Sequence, residues 1–348
     1  MDATTVAVDL AKDVFQVSIS PRGGYVATRR RLSRRQFNLF IESLSAGTTV
    51  VMEACSMAHY WGRRCEARGA IVRLLPAQYV RPYVHRDKTD RTDADALLEA
   101  HRCAAIHAVP IKSAEHQTLQ ALHRVRQQWQ STRTRRINLL RALVCEHGLV
   151  FPTGAVSVQR RLAALIDDSD AAIPALLRTM LRAGLDEIRD LEDHVSMIDR
   201  ELQRIARAHP VARRLQQIPG VGVITATAFI GAVPHIHGFR RGRQFASWLG
   251  LTPLEYSSGH QRSLGHISKR GDCYLRCLLV HGARAVLRVA ELRMRQSDPR
   301  ATAFQRWAAT LAARSGRNRA AVAVANKLAR FIWAVWTRDV DFAAAVPA

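Results

Sequence analysis

With 348 residues and 38.9 kDa, the chain has room for two or three domains at roughly 100–200 residues each. Its 52 Lys and Arg against 29 Asp and Glu give a formal charge of +23 and a pI near 11.1, which points to a polyanionic partner. An arginine-rich coding bias would give the same excess, since Lys occurs only at positions 12, 88, 112, 269 and 327. Six cysteines scattered at 55, 65, 103, 145, 273 and 277, without a Cys-x-x-Cys pair, imply neither a zinc site nor a disulfide framework and fit a reducing compartment. Neither a signal peptide nor a membrane span is expected, because "MDATTVAVDL" has no basic start and Lys327 and Arg330 interrupt the apolar C-terminal run.

From Thr4 the text reads "TTVAVDLAKDVFQVSIS" and then "GGYVATRRRL", β-branched alternating segments parted by a Gly-Gly turn, as adjacent antiparallel strands would be. A short helix follows. Then "GTTVVMEA" and "AIVRLLPA" read as buried strands, with a helical stretch from about His59 to Arg68 between them. Strands alternating with helices predict a mixed α/β domain over residues 1–112. From about Ser113 to Glu146, apolar Leu119, Leu122, Val125, Trp129, Ile137, Leu140 and Val144 recur on a helical period. "FPTG" at 151–154 breaks that helix. A second seam runs through Leu185, Ile188, Leu191, Val195, Ile198, Leu202 and Ile205 with coiled-coil spacing, so the two helices pair within one chain or between chains. Pro210 closes this helical region, 113–210, and a third unit of Gly-punctuated helices occupies 211–348.

Residues 86–100, "RDKTDRTDADALLEA", place four aspartates in an otherwise cationic chain. Asp90 and Asp93 are three apart and share the first turn of a helix that begins near Thr89. Asp9, within the first strand, and Glu53, at the end of another, are flanked by apolar residues and are costly to bury ionised unless a cation is near. Four hard oxygen ligands in a phosphate-binding protein suit Mg²⁺ or Mn²⁺, and a pair of such ions clamps the attacking and leaving oxygens of a phosphodiester. Taken singly, Asp90 and Asp93 are also ordinary helix N-terminal charges, and Asp9 a partner for Lys12. Asp13, Asp87 and Asp95 read as solvated neighbours.

"LQQIPGVGVITATAFI", 215–230, reads as a helix, a tight turn through Gly220 and Gly222, and a second helix whose exposed N–H groups bind phosphate without reading bases. Arg213 and Arg214 add electrostatic pull, and a plain Gly-stabilised turn is the alternative. In "LTPLEYSSGHQRSLGHISKRGDCYLRCLL", 251–279, Ser257, Ser258 and Gly259 precede His260, Arg262 and His266. Lys269 and Arg270 then lead into a helix capped by Asp272. A hydroxyl among basic groups is a phosphate contact, a nucleophile toward phosphorus, or part of an ordinary turn.

Together "VDLAKD", "VMEA", "RDKTDRTDADALLEA", "VPIKS", "IPGVGVITA", "FASWLGLTPLEYSSG" and "LGHISKRGDCYLRCLLVHGARAV" give a chain that resembles the DEDD-type insertion-sequence transposases. These are the insertion-sequence one-ten family, and the likeness runs toward their eleven-eleven subgroup over nearly the whole chain. The resemblance implies a RuvC-like, RNase H-type mixed-sheet domain, a coiled-coil helical region and a helical transposase domain with a helix-hairpin-helix-like motif. It further implies that Asp9, Glu53, Asp90 and Asp93 hold Mg²⁺ (or Mn²⁺), and that Ser258, with Ser257 as fallback, attacks DNA to form a covalent phosphoserine. Arg213, Arg214, Gly220, Gly222, Arg262, Lys269 and Arg270 are the expected nucleic-acid contacts. The implied partners are double-stranded DNA of the element ends and target, a structured guide RNA from the element, and further copies of the chain in a dimer or tetramer, in the bacterial cytosol. Many relatives carry Ala-Thr-Gly after the Glu, where this chain has Ala54, Cys55 and Ser56. The same carboxylates would serve a Holliday-junction resolvase or nuclease using water as nucleophile, and a degenerate cluster would leave a non-catalytic nucleic-acid-binding protein.

Overall fold

The computed structural model describes residues 4–21, 25–84 and 90–345, with the side chains of Asp90 and Arg91 outside that description. The chain divides into two units, Met1–Glu115 and His116–Ala348.

The first unit runs β1 (Thr5–Leu10), β2 (Val14–Ser20), β3 (Thr28–Ser33), α1 (Arg34–Glu42), β4 (Thr49–Glu53), α2 (Ala58–Glu66), β5 (Ile71–Leu75), α3 (Ala77–Val80) and α4 (Asp90–Arg102). The sheet order is β3-β2-β1-β4-β5, with β1, β2 and β3 antiparallel and β1, β4 and β5 parallel. It is the mixed α/β sheet that the sequence predicts. One detail differs, because the run from Thr4 folds back on itself between Leu10 and Val14 and gives two strands before the Gly-Gly turn is reached. That turn lies outside the described residues.

Side-chain alternation sorts the sheet's two faces. Val6, Val8, Phe15, Val50 and Met52 pack with Phe37 of α1 and Trp61 of α2, where Phe15 stacks on Phe37 and Trp61 stands edge-on to both. Ala7, Val51 and Leu75 face the other way, against Ala96, Leu97 and Ala100 of α4. Aromatic bulk thus fills one side, and small residues let α4 lie close on the other.

The second unit opens with α5 (Ala114–Cys145), α6 (Ala155–Asp167) and α7 (Ala175–Ala208). Between α5 and α7, Arg126 pairs with Asp199, Arg133 with Glu192 and Arg136 with Glu187, a descending register that makes the helices antiparallel partners. Ile137, Leu140 and Val144 share one cluster with Leu181, Leu185 and Ile188 and with Val158, Leu162 and Ile166 of α6. Of the two pairings open at the sequence level, the seam of α7 is therefore covered within the chain. Then come α8 (Pro210–Leu215), α9 (Val223–Ala232), α10 (Gly242–Trp248), β6 (Pro253–Glu255), β7 (Leu264–Ile267), α11 (Cys273–Arg295), α12 (Ala303–Ser315), α13 (Arg317–Arg338) and α14 (Phe342–Ala345). Their core is built on Leu279, Ala283 and Leu287 of α11 against Val324, Leu328 and Ile332 of α13. No helix among the described residues is long and apolar enough to cross a membrane.

Candidate active site

Asp9 follows Val8 in β1, and Glu53 follows Met52 in the adjacent parallel strand, where Val8 and Met52 are register partners. The two carboxylates therefore stand side by side at the same end of neighbouring strands. By alternation each shares a face with Ala7 or Val51, which is the face covered by α4. Both act on Cys55, whose thiol is pushed up to about 11 by burial first and then by the negative charges of Glu53 and Asp9.

Asp90 opens α4 and Asp93 lies one turn in, as the spacing predicts. Asp93 Oδ1 is buried without a hydrogen-bond partner, a costly state for a carboxylate oxygen unless a cation or donor is supplied. Among the described residues no three His, Cys, Asp or Glu side chains stand close enough to hold one ion, and the side chain of Asp90 lies outside that set. The donor chemistry of the carboxylates still fits a hard divalent cation: two at the same end of adjacent parallel strands, and an orphaned carboxylate oxygen on the helix that covers that face.

Asp95 corrects an expectation. It is partly solvated, with its side chain 31% exposed, but it is also paired. Ser18 Oγ donates to it at 2.8 Å, and the Arg29 guanidinium donates through Nε and Nη2 at 2.9–3.2 Å. Ala7, Ser18 and Arg29 form one cross-strand row, so this clamp fixes α4 over β1, β2 and β3 and so positions Asp93. The sequence held no local signal for it, because the partners are 66 and 77 residues away. Asp13 is exposed, as expected, and Asp87 lies outside the described residues.

The serines sit at the tip of the β6–β7 hairpin. Ser258 N donates to Gln261 O at 3.2 Å and Gln261 N returns to Ser258 O at 3.0 Å, closing a two-residue turn over Gly259 and His260. Gly259 takes φ +54°, the positive value that the first central position of such a turn favours. Glu255 pairs with Leu264 and Tyr256 N donates to Ser263 O at 2.9 Å, so Ser257 and Glu255 share one face and Ser258 and Tyr256 the other. On the first face Ser257 Oγ donates to Glu255 Oε1 at 2.8 Å and accepts from Ser263 N at 3.3 Å, while Arg262 Nε lies 3.4 Å from the same carboxylate. Ser258 is exposed, and among the described residues its hydroxyl makes no hydrogen bond.

The hairpin's base is rigid. Gly250 and Gly271, both at positive φ, let the 248–250 and 269–271 turns touch through bare backbone; a Cβ on either would collide with a carbonyl, of Arg270 or Trp248. Lys269 N donates to Gly250 O at 3.1 Å, and Arg276 Nη1 donates to Leu249 O and Arg270 O at 3.0 and 3.1 Å. Asp272 caps α11 by accepting from Tyr274 N and Leu275 N, as the sequence predicts. Lys269 and Arg270 are exposed. Arg276 was not singled out from the sequence, since its role depends on two turns meeting in space.

At 215–223 the expected helix, tight turn and helix are present. Gly220 takes φ +84°, Gly222 is exposed at the N-terminus of α9, and no side chain caps that end, so its first-turn amides lack an intrahelical partner. Arg213 is exposed beside it, whereas Arg214 is ion-paired with Asp339.

Residues 6–148 match the DEDD transposase family of IS110, and residues 212–298 match the family described as Transposase IS116/IS110/IS902. A probable family 20 transposase of Pseudomonas aeruginosa is 41% identical over 340 residues, 97% of this chain and 98% of that protein. The transposase for insertion sequence element IS1111A of Coxiella burnetii is 38% identical over 97% of this chain and 91% of its own length. The transposase for insertion sequence element IS1328 of Yersinia enterocolitica is 33% identical over 98% and 99%. With likeness of this depth running through both the carboxylate sheet and the serine hairpin, the chain belongs to the IS110 family of insertion-sequence transposases, enzymes that act on DNA.

Proposed function

We propose that the chain cuts and rejoins DNA through Ser258, with Asp9, Glu53, Asp90 and Asp93 holding Mg²⁺ or Mn²⁺ in a RuvC-like domain. The observation that carries this reading is the division of labour between the two serines. Ser257 is occupied by Glu255 and Ser263, while Ser258 offers an unengaged hydroxyl at the tip of a braced hairpin. Attack by Ser258 Oγ forms a bond to phosphorus and breaks the bond to one ester oxygen, which leaves as a hydroxyl after taking a proton. Reversal with a new DNA hydroxyl rejoins the strand and frees the serine. The divalent ion supplies charge stabilisation on the phosphate oxygens when bound.

Arg213, the α9 N-terminus behind Gly222, and Lys269 with Arg270 hold backbone phosphate; the α8–turn–α9 segment serves as a helix-hairpin-helix-like grip. Arg214 contributes less, since Asp339 engages it. Arg262 leans toward Glu255 and swings to phosphate when DNA arrives. Sites 113–210 and 211–348 act as a helical region and a transposase domain. A structured RNA from the element guides the choice of donor and target, and the working form is a dimer or tetramer.

Covalent trapping tests this. Protein, RNA transcribed from the element's flanks, labelled donor and target DNA and Mg²⁺ are combined and run on denaturing gels beside Ser258→Ala, Ser257→Ala and Asp90→Asn. A DNA-linked band kept in Ser257→Ala and lost in the other two is expected. Cleavage without an adduct, unaffected by Ser258→Ala, would mean water as nucleophile and overturn the assignment. A wild-type adduct that does not depend on added RNA would remove the guide.

A further inference from the structure

We infer that Tyr256 is a base-stacking residue, holding the nucleotide whose phosphate Ser258 addresses and requiring that nucleotide to be unpaired. This deepens the assignment of Ser258 and rests on it. Four observations support it. Tyr256 opposes Ser263 and Ser258 opposes Gln261 in one unbroken register, so both side chains rise from the same face of the hairpin. Two residues along an extended strand span about 7 Å, a reach comparable to that from a phosphate to its own base. Tyr256 is 68% exposed, a large aromatic ring in water on a strongly cationic protein. Its hydroxyl has no hydrogen-bond partner among the described residues, so burial of that group does not explain the residue.

The ring is also held in place. A Cβ on Gly265 would come 3.0 Å from Tyr256 Cε2, so the absence of a side chain there lets the ring rest on the strand backbone. One edge is supported by the hairpin and the rest stays open, a platform that loses little freedom when something stacks on it. Glu255, Ser257 and Arg262 occupy the opposite face and leave the Tyr256–Ser258 face without a carboxylate. A nucleobase fits such a surface, since every base has a π-face and stacking on an aromatic side chain tolerates any sequence. A base inside a duplex is already stacked on both sides. The strand must therefore reach Ser258 locally opened, by displacement or by flipping of that nucleotide.

The test uses the full chain with element-flank RNA, Mg²⁺ and duplex DNA carrying the joined element ends, with 2-aminopurine walked one nucleotide at a time across the junction. In the Ser258→Ala background, where chemistry is blocked, one position is expected to show fluorescence quenched on binding. The quench should survive Tyr256→Phe and vanish in Tyr256→Ala and Tyr256→Leu. Leucine still covers Gly265, so its loss of quench separates stacking from hairpin packing. With Ser258 intact, Tyr256→Ala and Tyr256→Leu should slow adduct formation roughly ten- to a hundredfold, and an abasic residue at the quenched position should erase the difference from wild type. A quench indifferent to Tyr256, or a rate loss that persists on abasic DNA, would overturn the proposal. A Tyr256-dependent quench without any adduct from wild type would instead fault the assignment of Ser258 and leave the stacking role standing.

Discussion

Gly220 and Gly282 meet backbone against backbone: a Cβ on Gly220 would lie 2.6 Å from the carbonyl oxygen of Gly282, and one on Gly282 would press still closer to that of Gly220. The turn before α9 is seated on the middle of α11 by this contact, and α11 is the helix whose N-terminus braces the serine hairpin. Gly282→Ala should therefore cost about 1–3 kcal/mol, since the obstructing atoms are backbone and cannot rotate away. Gly220→Ala should cost more, because it adds a side chain at φ +84° to the same collision. Urea midpoints of the two variants, with an unchanged m-value, check both.

His123 of α5 is buried between two hydroxyls. Thr227 Oγ donates to Val223 O at 2.8 Å, so it accepts from His123 Nε2–H at 3.1 Å, and Nδ1 then accepts from Tyr274 O–H at 3.1 Å. The imidazole joins α5, α9 and α11 as a neutral group, and burial first, then the nearby Arg126, pushes its pKa down to about 4. The unfolded chain takes up the proton first, near pH 6.5, so stability is full above that pH and declines as the pH falls toward 4. The loss from this group should approach about 2 kcal/mol by pH 5. His123→Gln should be less stable at pH 7.5 but flatter on acidification. Equal pH slopes for variant and wild type in denaturant melts would remove His123 from this role.

The sheet and the acidic helix were legible because their signals are local: β-branched alternation for the strands, and Asp90 and Asp93 three apart at a helix start. Asp9 and Glu53 could be named as a pair from their strand positions, and the parallel register of β1 and β4 sets them side by side. What could not be read depends on pairs distant in sequence. Asp95 looked like another surface charge until Arg29 and Ser18 were brought to it. The α7 seam gave a helix but not its partner, since coiled-coil spacing is the same within a chain and between chains. Ser257 and Ser258 are distinguished by strand parity, which follows once the two-residue turn at Gly259 and His260 is recognised, and "SSGHQRS" did not advertise that turn.

Asp95 gives a test of positioning. Asp95→Ala leaves Ser18 and Arg29 without their acceptor and should cost about 1.5–3 kcal/mol, the range for hydrogen bonds to a charged group. Arg29→Lys should recover only part of the wild-type stability, because an ammonium cannot reproduce the two-nitrogen fork. Both variants should also weaken Mg²⁺ or Mn²⁺ binding several-fold without removing a ligand, read by isothermal titration, since the clamp fixes the helix that carries Asp93.

Asp93 Oδ1 is buried without a hydrogen-bond partner on the helix that covers the face of Asp9 and Glu53, and a bound cation would relieve that cost. Saturating Mg²⁺ or Mn²⁺ should then raise the melting temperature of the wild-type chain, by the equivalent of about 2.7 kcal/mol at a hundred times the dissociation constant. Asp9→Asn, Glu53→Gln and Asp93→Asn should each lose most of that shift. Metal-free Asp93→Asn should melt no lower than wild type and about 1 kcal/mol higher where the amide finds an acceptor that the carboxylate could not use. The two directions together are the discriminating result, because a merely structural carboxylate would lose stability on substitution whether or not metal is present. Equal metal-induced shifts in wild type and all three variants would remove these residues from the metal site and leave the acidic end of α4 as a favourable helix terminus.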